Sequence, residues 1–143
     1  MADAPTPQAP GFAIGGLPPD AFLAVNMFIV RHLVRLYAAF DGDLLEAIVL
    51  GEVAHHNLSA YLGRAQDSRR TAQALPHVPI RSDYLPTNAF SIAQATRIPR
   101  QTVRRKVKSL VARGWLLQQK NGLVVSPVPL EHFRVFNAEL AAD

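Results

Sequence analysis

The apolar positions of residues 20–62 repeat at helical spacing and predict two long helices. Asp20 is the expected N-cap of the first helix, which runs to about Phe40, and Asp43 is that of the second, which runs to about Leu62. The positions expected to face inward are Phe22, Val25, Phe28, Ile29, Leu33, Leu36 and Phe40, then Leu44, Leu45, Ile48, Val49, Val53 and Leu58. Both helices are very apolar for surface elements, so we expect a second subunit to cover part of them.

The segments before and after these helices lack the helical pattern. Five prolines within residues 1–20 predict an extended N-terminal arm, and Gly63, Pro76 and Pro79 interrupt a long connection over residues 63–82. We expect residues 21–143 to form a single domain. Its parts are a helical core and dimerisation part (21–62), the connection (63–82), a helix-turn-helix with a hairpin (83–126) and a C-terminal helix (127–143).

Residues 91–113 predict a short helix, a turn and a second helix. Ser91 is the expected N-cap of a helix through about Thr96, with Ile92 and Ala95 facing inward. Arg97-Ile98-Pro99 is the expected turn, and Pro99 suits the first position of a helix that runs to about Arg113, before Gly114. The buried stripe of this second helix is expected to be Val103, Val107, Leu110 and Val111.

A β-hairpin and a last helix follow. A strand begins at Trp115, Asn121-Gly122 predicts a type I′ turn, and Leu123-Val124-Val125 returns as the second strand. Pro127 and Pro129 end that strand. The last amphipathic helix is expected over about 130–140, with Leu130, Phe133, Val135, Phe136 and Leu140 on its apolar face.

The positive charge of the chain is concentrated in this same region. Eleven of the fifteen Lys and Arg residues lie between Arg64 and Arg113, together with only two of the eleven acidic residues. The formal net charge is +4. A local basic patch indicates a polyanionic partner more strongly than a small excess spread over the chain does.

The predicted helix 99–113 combines this charge with side chains that can read DNA. Arg pairs bidentately with guanine and Gln with adenine, and residues early on such a helix normally reach base edges. The predicted base-reading positions are Arg100, Gln101, Thr102, Arg104 and Arg105. Lys106, Lys108 and Arg113 are expected to contact phosphates, as are Ser91 with its helix N-terminus and Lys120 at the hairpin tip.

The stretch SIAQATRIPRQTVRRKVKSLVARGWL resembles the helix-turn-helix of bacterial winged-helix regulators, in particular the MarR-like and GntR-like groups. The resemblance implies a mainly α fold with a small β-hairpin wing, and a cytoplasmic, homodimeric transcriptional regulator that binds double-stranded DNA. It also implies a positive φ at Arg97, because the turn often has Gly there. The helices at 21–40 and 43–62 resemble the leading helices of MarR-like proteins, which help to form the dimer.

Other kinds of site have little support in the sequence. The absence of cysteine excludes disulfides and thiolate metal sites. Glu52, His55 and His56 lie within about one helical turn but are better explained as partly exposed helix residues than as metal ligands. No nucleophile–base set and no phosphate loop is visible. We therefore predict no enzyme activity and no cofactor, and we expect no signal peptide and no membrane span.

Two alternatives to a DNA-binding regulator remain open. The basic face would also fit a winged helix that binds an acidic protein partner. A small-molecule effector bound between the two N-terminal helices would make the protein a ligand-sensing regulator.

Overall fold

A computed structural model of the protein describes residues 15–66 and 84–142. Within these ranges the chain is mainly helical, with one small antiparallel hairpin, which confirms that part of the predicted fold class. The elements are α1 (Pro19–Ala39), α2 (Leu44–Gln66), α3 (Ala89–Thr96), α4 (Arg100–Ala112), β1 (Leu116–Gln119), β2 (Gly122–Val125) and α5 (Pro127–Ala142). The described residues fall into two compact units, divided between Leu44 and Leu45.

The first unit consists mainly of α1. Its N-cap is Pro18, so Asp20 lies within the first turn, where its charge favours the helix N-terminus, and the predicted capping role of Asp20 is wrong. The helix ends where Asp41 and Gly42 take positive φ angles of 51° and 86°. Glycine suits position 42, because L-residues rarely adopt this φ and a Cβ there would lie 3.2 Å from the ring of Tyr37.

The predicted inward face of α1 is only partly correct. Phe40, just after the helix, is buried and Phe22 and Leu36 are half-buried. The other four predicted inward side chains are instead exposed by 45–52%: Val25, Phe28, Ile29 and Leu33. Apolar residues occupy so much of the circumference of α1 that helical spacing does not single out one buried face.

Among the described residues, α1 is the one helix long and apolar enough to cross a membrane. The helix has 21 residues, and none of its most apolar stretch of 18 residues is buried. The sequence predicts no span, because Arg31 interrupts the apolar run. By length and mean hydropathy alone, α1 nevertheless meets the requirement for a span.

The second unit is built around a core shared by helices and hairpin. Its most deeply buried apolar side chains are Val49 and Val53 of α2, Ile92 of α3, Val103 and Leu110 of α4, Leu116 of β1 and Val125 of β2. Val49 and Val53 were predicted to face inward. Leu45 and Ile48 were too, but both are exposed, whereas Leu50 is buried.

α2 continues beyond the predicted end at Leu62 to Gln66. The prediction of a break at Gly63 is therefore wrong, because one glycine inside a helix costs only about 1 kcal/mol. The rest of the predicted connection, residues 67–82, lies outside the described part of the chain.

Asn57 of α2 joins this helix to the hairpin through its side-chain amide, and it is fully buried. Its Oδ1 accepts a hydrogen bond from the Val125 amide at 2.8 Å, and its Nδ2 donates to the Leu123 carbonyl at 3.1 Å and the Leu85 carbonyl at 2.7 Å. The main chain of Thr87 pairs with Leu123 on the same side of β2. Asn57 and Thr87 together therefore satisfy the outer edge of β2, which would otherwise expose unpaired polar groups.

The hairpin turn is not the predicted type I′ turn on Asn121-Gly122. Gln119 pairs with Gly122, so Lys120 and Asn121 are the central residues, and neither has the positive φ that type I′ requires. Gly122 belongs to β2, with a φ of 136°, and a Cβ there would lie 2.5 Å from the Thr87 carbonyl oxygen. The glycine thus serves the close approach of Thr87 to β2.

α5 begins at Pro127, earlier than the predicted start near residue 130. Ser126 and Pro127 were expected only to end the second strand, but they also start this helix. The Ser126 Oγ accepts a hydrogen bond from the Val128 amide at 3.3 Å and donates to the Gly114 carbonyl at 2.6 Å. Pro127 occupies the first helical position, where its missing N–H costs nothing. Of the predicted apolar face, Phe133 is half-buried and packs edge-on against Trp115, and the other four side chains lie outside the described part.

Replacement of Asn57 by leucine is expected to lower the free energy of unfolding by about 2–5 kcal/mol, because the Leu85 carbonyl and the Val125 amide would lose their partner in the interior. Urea denaturation measures the change. His55→Leu is the control, since His55 is exposed on the same helix, and it should change stability by about 0.5 kcal/mol or less. Equal effects of the two variants would contradict the role of the Asn57 amide.

Gly122→Ala should destabilise the protein by at least about 2 kcal/mol, since the new methyl group would meet the Thr87 carbonyl at a backbone φ that L-residues rarely adopt. Gly51→Ala is the matched control. Nothing lies within 4 Å of a Cβ at Gly51, and we expect a gain of about 0.5–1 kcal/mol there. Thermal unfolding of both variants would show shifts of opposite sign.

Candidate nucleic-acid interface

The first helix of the predicted helix-turn-helix is capped by Asn88, not by Ser91. The Asn88 side chain accepts a hydrogen bond from the Ser91 amide at 2.9 Å, which places Ser91 inside the first turn of α3. Ile92 is buried as predicted, whereas Ala95 is exposed. Ser91 is half-buried and is not the N-cap. The capping position from which its phosphate contact was predicted therefore belongs to Asn88.

The turn between α3 and α4 follows the prediction closely. Arg97 is the C-cap of α3 and has a φ of 61°, which confirms the positive φ expected at this position. The Thr96 hydroxyl donates to the Ile92 carbonyl at 2.7 Å and accepts from the Ile98 amide at 3.2 Å. These bonds hold a left-handed residue that costs about 1–2 kcal/mol in the absence of support. Pro99 is the N-cap of α4 rather than its first residue.

The rotation of α4 about its axis is fixed by two buried side chains. Val103 and Leu110, two turns apart, are both fully buried. Val107 is half-buried, and Val111, predicted to be buried, lies at the exposed edge. Because Val103 and Leu110 face the core, the opposite side of α4 faces solvent.

Five long polar side chains occupy the solvent-facing side of α4. All five are exposed: Arg100, Gln101, Arg104, Arg105 and Lys108. Thr102, which was also predicted to read bases, is half-buried. Among the described residues, no carboxylate pairs with any of these cations. Arg100 with Arg104, and Arg104 with Lys108, are like charges four residues apart. Each such pair destabilises a helix by about 0.2–0.5 kcal/mol.

Phe90 lies next to this basic surface and was not predicted from the sequence. The Arg100 guanidinium lies 5.6 Å from the centre of the Phe90 ring, within the range of a cation–π contact. Phe90 is itself exposed, at the second position of α3. The sequence contains one indication of this exposed ring, because Phe90 is an apolar residue at the start of a short helix and lies outside its buried stripe.

A groove of about 720 Å³ runs along one side of α4. Arg104, Arg105 and Lys108 contribute its positive charge, and Gln101 and Gln118 add hydrogen-bonding groups. The remaining lining comes from the start of α3 and from apolar side chains: Thr87, Asn88, Ala89, Val107, Val111 and Leu123. A groove of this composition suits an anionic ligand whose backbone or ring also makes apolar contact.

The other predicted contact residues are placed differently. Lys120 is exposed in the hairpin turn and does not line the groove. Arg113, at the end of α4, forms an ion pair with Glu46 at 3.2 Å and lies 4.0 Å from the centre of the Trp115 ring. Its guanidinium therefore joins α4 to α2 and to the hairpin, a structural role that the sequence did not indicate.

The histidine-containing segment of α2 does not form a recognisable metal cluster. Glu52 is half-buried, and His55 and His56 are exposed. Within residues 15–66 and 84–142, no group of three or more His, Cys, Asp or Glu side chains could hold a metal ion.

No family model, curated protein or solved structure matches this chain.

Asn88→Ala should lower the free energy of unfolding by about 1 kcal/mol, because the α3 N-terminus loses its side-chain cap. Ser91→Ala keeps the backbone amide that donates this bond, and a change of about 0.5 kcal/mol or less is expected. Chemical denaturation of both variants tests the assignment, and the reverse order of effects would restore Ser91 as the N-cap.

Proposed function

We propose that this protein is a sequence-specific DNA-binding transcriptional regulator of the winged helix-turn-helix type, acting as a homodimer. The observation that carries the proposal is the solvent-facing side of α4. It follows a tight turn and holds four cations and a glutamine, none of the cations paired with a carboxylate among the described residues. A bound polyanion would relieve the repulsion among these four cations.

The order of the elements also supports a winged helix. The short α3, the turn at Arg97, α4 and the hairpin follow one another as in the resembled families. The main-chain pairing of Thr87 with Leu123 adds a third short extended segment beside the hairpin. With α4 in the major groove, the hairpin would be the wing, and Lys120 at its tip would reach the DNA backbone.

The side chains of α4 suit two tasks in this arrangement. Arg100, Gln101 and Arg104, on its first turns, are able to form bidentate contacts with base edges. Arg105 and Lys108 line the groove together with Gln101 and Arg104. Phosphate neutralisation by Lys108, further along the helix, would add affinity that does not depend on sequence. Phe90 would restrict the guanidinium of Arg100 before DNA arrives, so that less conformational entropy is lost on binding.

An acidic protein partner is the second candidate, because the same unpaired cations would bind it. Selection from a random duplex pool at two salt concentrations separates the two. An enriched palindrome, with half-sites about 34–36 Å apart or a multiple of it, supports a dimeric regulator. Retention only at low salt, with no enriched sequence, contradicts sequence-specific binding and favours a general polyanion surface.

Arg104→Ala is expected to weaken binding to the enriched duplex by about 1–3 kcal/mol, roughly 5- to 150-fold in Kd, because a base contact is lost. Lys120→Ala should weaken binding less. It should also reduce the slope of log K against log salt concentration by about one, as the loss of one phosphate contact does. Arg134→Ala removes the same charge from the exposed surface of α5 and is the matched control. Small, equal losses for Arg104 and Lys120 would contradict the assignment of α4.

A further inference from the structure

Phe90 is an exposed aromatic side chain that the packing of the second unit does not use. It is 51% exposed and lies outside the buried stripe of α3, whose core residue is Ile92. Of the Phe, Tyr and Trp side chains that are described in this unit, only Phe90 is exposed. Burial of a phenylalanine is favourable because it removes apolar surface from water, so Phe90 keeps a capacity for apolar contact with a ligand.

The ring of Phe90 lies at the N-terminal end of the solvent-facing side of α4. The guanidinium of Arg100, the first residue of α4, is 5.6 Å from the centre of this ring. Ala89, the residue before Phe90, lines the groove together with Gln101 and Arg104. The start of α3 therefore runs beside the side chains that are proposed to read bases, and Phe90 places an apolar surface next to them.

The main chain on both sides of Phe90 is held by hydrogen bonds. Asn88 caps α3 by accepting a hydrogen bond from the Ser91 amide at 2.9 Å, and the main chain of Thr87 pairs with that of Leu123 in β2. The side chain of a phenylalanine has only two χ angles, so little conformational entropy is lost when its ring contacts a ligand. Phe90 thus presents its ring from a fixed position.

The spacing of base pairs sets what this ring can reach on DNA. Stacked base pairs are about 3.4 Å apart along the helix axis. With the Arg100 guanidinium at the edge of one guanine, a ring whose centre is 5.6 Å away lies at most about two base-pair steps from that guanine. The edge of the adjacent base pair is therefore within reach of Phe90.

The chemistry of a phenyl ring favours one base at this position. The major-groove edges of the bases present hydrogen-bond donors and acceptors, which a phenyl ring cannot satisfy, and one apolar group, the C5-methyl of thymine. Contact with the polar edge atoms would remove them from water without a hydrogen bond, and this is unfavourable. Contact with the methyl group buries apolar surface on both partners.

We propose that Phe90 is a specificity-determining residue, which contacts the C5-methyl group of thymine in the base pair next to the guanine bound by Arg100. The two side chains together read two successive base pairs, Arg100 through hydrogen bonds to O6 and N7 of guanine and Phe90 through the methyl group. This inference rests on the proposed DNA binding and names a base that the site selects. Because the ring recognises the methyl group alone, 5-methylcytosine should also be accepted at this position.

Removal of single methyl groups from the enriched duplex tests the contact. Each thymine next to a guanine is replaced in turn by uracil, which differs only at C5, and Kd is measured by fluorescence anisotropy. At one position in each half-site the wild-type protein should lose about fourfold in affinity, the effect of one buried methyl group. Cytosine at the same position should gain about fourfold on C5-methylation. Equal affinity for thymine and uracil at every such position overturns the proposal.

Phe90→Ala identifies the side chain that contacts the methyl group. The variant should bind the thymine and uracil duplexes with equal affinity, because the apolar surface that distinguishes them is lost. Val128→Ala is the matched control, since Val128 is 52% exposed in α5 and does not line the groove, and it should keep the fourfold difference. If Phe90 only positions Arg100, Phe90→Ala weakens both duplexes by the same factor and keeps their ratio, and this result overturns the methyl contact.

The outcomes separate this contact from the DNA binding on which it depends. Equal affinity for thymine and uracil, with the loss at Arg104→Ala retained, overturns the role of Phe90 and leaves that of α4 intact. An enriched sequence without a thymine next to a guanine has the same meaning. A duplex pool that yields no enriched sequence contradicts both proposals.

Discussion

The buried amide of Asn57 is the interaction on which the second unit depends. A two-stranded hairpin is marginal by itself, because its outer edges leave main-chain groups unpaired. Here one side-chain amide, together with the main chain of Thr87, completes the outer edge of β2 and attaches it to α2. All three consecutive residues after Gly122 are consequently buried. The hairpin is thereby held against the helical core, and through Ser126 and Trp115 it positions the start of α5.

The exposed chemistry of α4 is a consequence of the same packing. Val103 and Leu110 fix one side of the helix in the core, while Ser109 and Arg113 both donate to the buried carboxylate of Glu46 in α2. The C-terminal half of α4 is thus anchored by the Glu46 carboxylate and by Leu110, and its N-terminal half by Val103. A helix held at these points presents its basic side in one orientation, which favours preorganised recognition of a ligand over adaptation to it.

Two predictions from local sequence were wrong, the N-cap of α3 and the position of the hairpin turn. Asn88 and Ser91 are both good N-caps three residues apart. The main-chain bridge between Thr87 and Leu123 decided for Asn88, because it places the residue before Asn88 at the edge of β2. In the hairpin, Asn121-Gly122 satisfied the usual turn rule. In the structure Gly122 is the first residue of β2, where it allows the close approach of the Thr87 carbonyl. The two central residues of the turn are therefore Lys120 and Asn121, one position earlier than the turn rule predicts. In both cases a contact across the sheet outweighed a local preference.

The sequence by itself determined the order of the elements, the turn at Arg97 and the set of cations on α4, because helical periodicity, capping and charge are properties of neighbouring residues. Only the tertiary structure decided that Asn57 closes the sheet and that Glu46 binds Arg113. These partners lie between 28 and 68 residues apart, and no local rule connects them. The exposure of α1 also had to come from the structure, because a helix that is apolar on most sides does not specify which side packs.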